Sequence, residues 1–79
     1  MPSIHRLDNA TIYVYADEHP PPHFNVRGPN SDANIRLDTL QVLIGEIDRK
    51  DFAQAVAWAS IPENWEKLMK AWRGLNEND

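Results

Sequence analysis

Cysteine is absent from the 79 residues of this chain. That excludes disulfide staples and thiolate zinc sites, and it fits a reducing compartment. Glycine is scarce too: Gly28, Gly45 and Gly74 are isolated from one another, so there is no glycine-rich loop to cradle a phosphate. No apolar run approaches the ~20 residues of a membrane span, and the first residues lack the pattern of a secretory signal. Positive charge is in short supply. Eight Lys and Arg stand against 12 Asp and Glu, a net charge of −4, and no basic run exceeds Arg49-Lys50. A surface that tracks a phosphate backbone across the whole molecule is therefore not expected, although a local arginine site remains open. No serine or cysteine nucleophile motif is present. The expectation is a soluble, cytoplasmic, single domain over residues 1–79 that does not meet a membrane.

What the chain does have is apolar content, 42% with three tryptophans, too rich for disorder. A chain of this length buries only roughly 60–65% of its unfolded surface. Its core is thin, and with no disulfide available a partner chain, either a second copy or another protein, becomes the expected staple.

Period-2 patterning dominates the first half. Met1 to Leu7 reads as a short edge strand. Thr11 to Ala16 is β-branched or aromatic at nearly every position, which predicts a strand with Ile12, Val14 and Ala16 on one face and Thr11, Tyr13 and Tyr15 on the other. Pro20 to Pro22 predict a stiff polyproline II connector. His23 to Arg27 then alternates, Phe24 and Val26 toward the core, His23, Asn25 and Arg27 away from it. Gly28-Pro29-Asn30-Ser31 is a turn, and Ala33 to Leu37 completes a hairpin. Leu40 to Ile44 is a further strand, closed by Gly45.

The period next changes to 3.6. Asp48 suits a helix N-cap, with Asp51 in the first turn and Phe52, Ala55, Val56 and Ala59 as the apolar stripe. Ser60 and Glu63 have capping-box spacing before Pro62 and a second stripe of Trp65, Leu68, Met69 and Trp72. Gly74 is the expected stop, with fraying of Asn76 to Asp79. The fold class is α+β: an antiparallel sheet of four to five short strands with two C-terminal helices packed on one face, in the order β-β-β-β-α-α.

Such a sheet leaves one face to solvent or to a partner. That face would carry Thr11, Tyr13, Tyr15, His23, Asn25, Arg27, Asn34 and Arg36, beside His19 in the proline segment. Arginine forks onto phosphate, tyrosine stacks on bases and histidine moves protons. The same residue types are also ordinary on a solvated sheet face. For catalysis the candidates are His23, Arg27, Tyr13 and Arg36, which could serve ribonuclease chemistry. Binding through Tyr13, Tyr15, His19, His23, Asn25, Arg27 and Arg36 is favoured over catalysis. His19 and His23 are four apart, but extended chain separates them by roughly 12 Å, so no metal site is expected, and no cofactor is implied. Trp58, Trp65 and Trp72 recur every seven residues, an aromatic seam beneath the sheet or a partly exposed anchor for another chain.

Ile12-Tyr13-Val14-Tyr15, His19, Pro21-Pro22-His23-Phe24 and Val26, followed by Ala33-Asn34-Ile35, Gly45, Trp58 and Glu63-Asn64-Trp65, resemble bacterial domain-of-unknown-function family 4160 over nearly the whole chain. That family's signature is histidine, any residue, proline, proline, histidine, phenylalanine, histidine, and Asn25 stands where its third histidine falls. The resemblance implies one component of a two-gene, toxin–antitoxin-like module. The protein partner would be the neighbouring gene's product. Alternatives are a ribonuclease-like toxin and a nucleic-acid-binding regulator.

Overall fold

A computed structural model describes residues 3–76. Five strands precede two helices: β1 (Ser3–Arg6), β2 (Thr11–Tyr13), β3 (His23–Gly28), β4 (Ser31–Arg36), β5 (Val42–Glu46), α1 (Arg49–Ala59) and α2 (Pro62–Asn76). The strands form one sheet in sequence order, every neighbouring pair antiparallel. Short connections between antiparallel neighbours account for this meander.

Alternation decides which face is covered. Ile12, Phe24, Val26 and Ile35, with Val14 and Leu37 just past their strands, pack against Ala55 and Ala59 of α1 and Leu68 and Trp72 of α2. Both helices thus lie on one face, and the core is a single layer between helices and sheet. Asp48 caps α1 by accepting from the Lys50 and Asp51 amides, as its position before an apolar stripe requires.

Several expectations are corrected. β2 ends at Tyr13, not Ala16, because the chain leaves the sheet and reaches the left-handed region at Asp17 (φ 59). The proline tract is not a polyproline II rod: the Pro20–Pro21 peptide is cis and the segment folds back until Glu18 touches His23. β5 starts two residues later than the pattern suggested, since Leu40 is still in a turn (φ 57), closed by hydrogen bonds between Leu40 N–H and Arg36 C=O and between Arg36 N–H and Gln41 C=O.

Gly45 lies inside β5 instead of ending it. Its φ of 97° and the 2.2 Å separation between a built Cβ and the Asp32 carbonyl oxygen leave no room for a side chain. Ser60 does not open α2. Its hydroxyl donates to the Val56 carbonyl and so finishes α1. Nor does α2 stop at Gly74; it continues to Asn76. The expected strand start at Met1 and Pro2, and fraying of residues 77–79, lie outside the described residues.

The tryptophans divide. Trp72 is buried in the core, Trp65 is half-buried with its Nε1 donating to the Leu37 carbonyl at 2.8 Å, and Trp58 is half-buried with the His5 ring stacked on it at 4.5 Å. The seam therefore lies at the margin of the core as much as within it.

Candidate functional site

The face opposite the helices is a strip of polar and aromatic side chains, and strand register sets its order. One row crosses all five strands: Ser3, Tyr13, Asn25, Asn34 and Ile44 are successive cross-strand partners. A second row joins Thr11, Arg27, Asp32 and Glu46. Cross-strand partners share a face, so the open surface has a neutral row beside a charged one.

Tyr13 and Tyr15 stack with ring centroids 5.5 Å apart and planes 9° from parallel. The Arg27 guanidinium is held above its ordinary range first by a hydrogen bond to the Tyr15 side chain and then by the charge of Asp32, whose Oδ1 is 3.7 Å from Arg27 Nε. Tyr13, Tyr15, Asn25 and Arg27 are thus brought together. Asn25, expected at the surface, is only 7% exposed, and its Nδ2 has no hydrogen-bond partner among the described residues. A buried donor without an acceptor is uncommon and calls for an explanation.

Arg36 is occupied in a different way. Its Nε and a terminal nitrogen form a two-pronged contact with Asp38 at 2.9 and 2.7 Å. The hydrogen bond from Arg36 is the main cause that holds the Asp38 carboxyl below its ordinary range.

His23 is not on the open surface. Its relative exposure is 4%, its ring lies 4.8 Å from that of Trp72, Nδ1 is 2.9 Å from the Pro21 carbonyl oxygen and Nε2 is 3.0 Å from Glu18 Oε1. The start of β3 lies beneath the last turns of α2, so the alternation that should send His23 outward brings it against a helix. His23 and Arg27 are four residues apart on one strand, roughly 13 Å at ~3.3 Å per residue. They do not share a reacting centre. His23 is the cross-strand partner of Arg36, but each is already engaged elsewhere. His19 is exposed on the loop, away from any strand.

Glu18 and Asn76 organise this loop and were not singled out by sequence reasoning. The Glu18 amide donates to Asn76 Oδ1 at 2.7 Å, and Asn76 Nδ2 donates to the Tyr15 carbonyl at 2.9 Å. Nothing in a terminal Asn announces such a role. Glu18, five residues before His23, offered a faint signal as its hydrogen-bond partner. Ile44 was also missed as a surface residue, although strand alternation from Asn34 would have placed it there.

Among the described residues no group of three or more His, Cys, Asp or Glu could hold a metal ion, and no helix is long and apolar enough to cross a membrane.

Fold and face together define a small α+β protein with an antiparallel sheet covered on one side. A family model described as "Domain of unknown function (DUF4160)" matches residues 10–73. The chain belongs to that family. No curated protein and no solved structure matches it.

Proposed function

We propose that this chain is a small binding protein that acts by protein–protein contact through the open sheet face. In this reading it is one component of a two-gene, toxin–antitoxin-like module, and its partner is the neighbouring gene's product. The carrying observation is the electrostatic state of the face. Arg27 is shared between Tyr15 and Asp32, and Arg36 is clamped by Asp38. Each guanidinium thus has an aspartate beside it, so on a chain of net charge −4 an incoming phosphate would meet a carboxylate at both arginines. A protein surface brings no such conflict. Stacked tyrosines flanked by arginine–aspartate pairs suit a polar protein surface.

Burial of His23 with both ring nitrogens engaged weighs against the ribonuclease reading, since no path leads from the ring to a phosphate. Co-expression with the adjacent gene tests the proposal. A complex should co-purify, and Tyr13→Ala with Arg27→Glu should weaken it at least tenfold while the fold persists. A chain that ignores that product, or that instead binds RNA with steep salt dependence, refutes the reading.

A further inference from the structure

The charged row of the open face begins one strand before Thr11. Arg6 of β1 is the cross-strand partner of Thr11, so the complete row from edge to edge is Arg6, Thr11, Arg27, Asp32 and Glu46. Its signs are sorted, positive in β1 and β3, negative in β4 and β5. In the middle, Arg27 and Asp32 answer each other at 3.7 Å. The ends differ. Arg6 and Glu46 are exposed, and among the described residues neither has an ion-pair or hydrogen-bond partner. Four strand spacings of ~4.8 Å put their backbones roughly 19 Å apart. Each end also stands in an open hollow. Ser3, Thr11 and Tyr13 line the one beside Arg6, while Asn30, Ser31 and Asp32 line the one beside Glu46. Hydroxyls around a guanidinium suit a carboxylate, and paired carboxylates with a side-chain amide suit an ammonium or guanidinium.

We propose that the protein covering this face is charged in the reverse order. An Asp or Glu side chain of the partner meets Arg6 at the β1 end, and a Lys or Arg side chain meets Glu46 at the β5 end. This rests on the reading that a partner protein binds the open face, and it adds that partner's chemistry and its orientation. A ligand of one sign fits only half the row. A nucleic-acid backbone is repelled at Asp32 and Glu46, and a uniformly basic peptide is repelled at Arg6. A lone charge on an edge strand guards against stray pairing whatever its sign. Opposite signs at the two ends of one row, with the interior already paired, also fix which way round a partner lies. The span suits one interface of standard size, about 800 Å² on each side and so roughly 28 Å across.

Titration calorimetry of the chain with the neighbouring gene's product, at about 50 mM and about 500 mM salt, tests the assignment. Arg6→Glu and Glu46→Lys should each weaken the complex about tenfold at the lower salt and much less at the higher, where screening is short. The double reversal should lose about a hundredfold, since sites this far apart add. Arg6→Lys keeps the charge and should stay within about threefold of wild type. Both side chains are exposed and unpartnered among the described residues, so the variants should melt close to the wild type, and lost affinity is then not lost fold. If Tyr13→Ala with Arg27→Glu weakens the complex while both end reversals leave it unchanged, the open face is the interface and the charge order is wrong. A reversal that tightens binding overturns the order as well. If no complex forms, this assignment and the partner reading fail together. A chain that self-associates through Arg6 and Glu46 gives the row to a second copy and equally overturns the proposal.

Discussion

Replacing His23 with alanine separates a structural histidine from a catalytic one, and the size of the effect can be worked out. The substitution removes the bonds to Pro21 O and Glu18 Oε1 and the ring contact with Trp72. Each hydrogen bond is worth about 1 kcal/mol net. The void left against a buried tryptophan adds about 1 kcal/mol more. The Glu18 side chain is 32% exposed, so water takes up its carboxylate and limits the loss on that side. The sum is about 3 kcal/mol. At 0.05–0.15 kcal/mol per residue a chain of 79 residues has a total stability of about 4–12 kcal/mol, so His23→Ala removes between a quarter and most of it. Thermal unfolding should shift down by roughly 15–20 °C, taking about 6 °C per kcal/mol for a domain of this size. Calorimetry or circular dichroism melting reads this directly, and urea unfolding should give the same difference. An unchanged melting temperature, with loss of some activity the wild-type chain possesses, would refute the structural assignment and return His23 to the candidates for chemistry.

Two further predictions concern glycine and charge. Gly45→Ala should destabilise by about 2–3 kcal/mol or displace β5, since the new Cβ meets backbone 2.2 Å away at positive φ, whereas Gly74→Ala, in a helix with open space around it, should stabilise by about 0.5–1 kcal/mol; urea melts of the pair read both signs. The Asp38 carboxyl is depressed by Arg36, so the stabilisation it provides is present above the ordinary carboxylate range and is lost as pH falls through the lowered folded value. In Arg36→Gln the Asp38 titration followed by NMR should move up toward its ordinary range, and salt should shrink the difference because the pair is exposed.

Much of the fold was legible in the chain because short-range physics specifies it. Strand alternation named Phe24, Val26 and Ile35 as core, and an aspartate before a 3.6-residue stripe named the α1 cap. Two of the misreadings share one cause, that the surroundings of the residue come from a distant part of the chain.

His23 and Asn25 follow the local period but are buried. His23 is covered by Trp72 of α2, 49 positions on (72 − 23). Asp51 stands in the first turn of α1 as its charge suits, and it is also 1% exposed and accepts from the Ser31 hydroxyl, 20 residues back. Ser31 in turn accepts from the Asp48 amide, which ties the β3–β4 hairpin to the α1 cap. No periodicity encodes a contact of that kind. The candidate site was half legible for the same reason: Tyr13, Asn25 and Arg27 fall on one face by counting, but the hydrogen bond between Tyr15 and Arg27 depends on how the loop after β2 returns.

Asn76 carries a consequence for how the molecule opens. When β2 ends early, the Tyr15 carbonyl and the Glu18 amide lose the neighbours a longer strand would have provided. The Asn76 side chain, one donor and one acceptor in a plane, stands in for the missing peptide group from 61 and 58 residues away. Fraying of a last helical turn is ordinarily the least consequential motion a domain makes. Here the last turn of α2 and the loop beside the open sheet face share one set of bonds, so breathing of the helix end is at the same time a loosening of the segment that carries Tyr15 and His19.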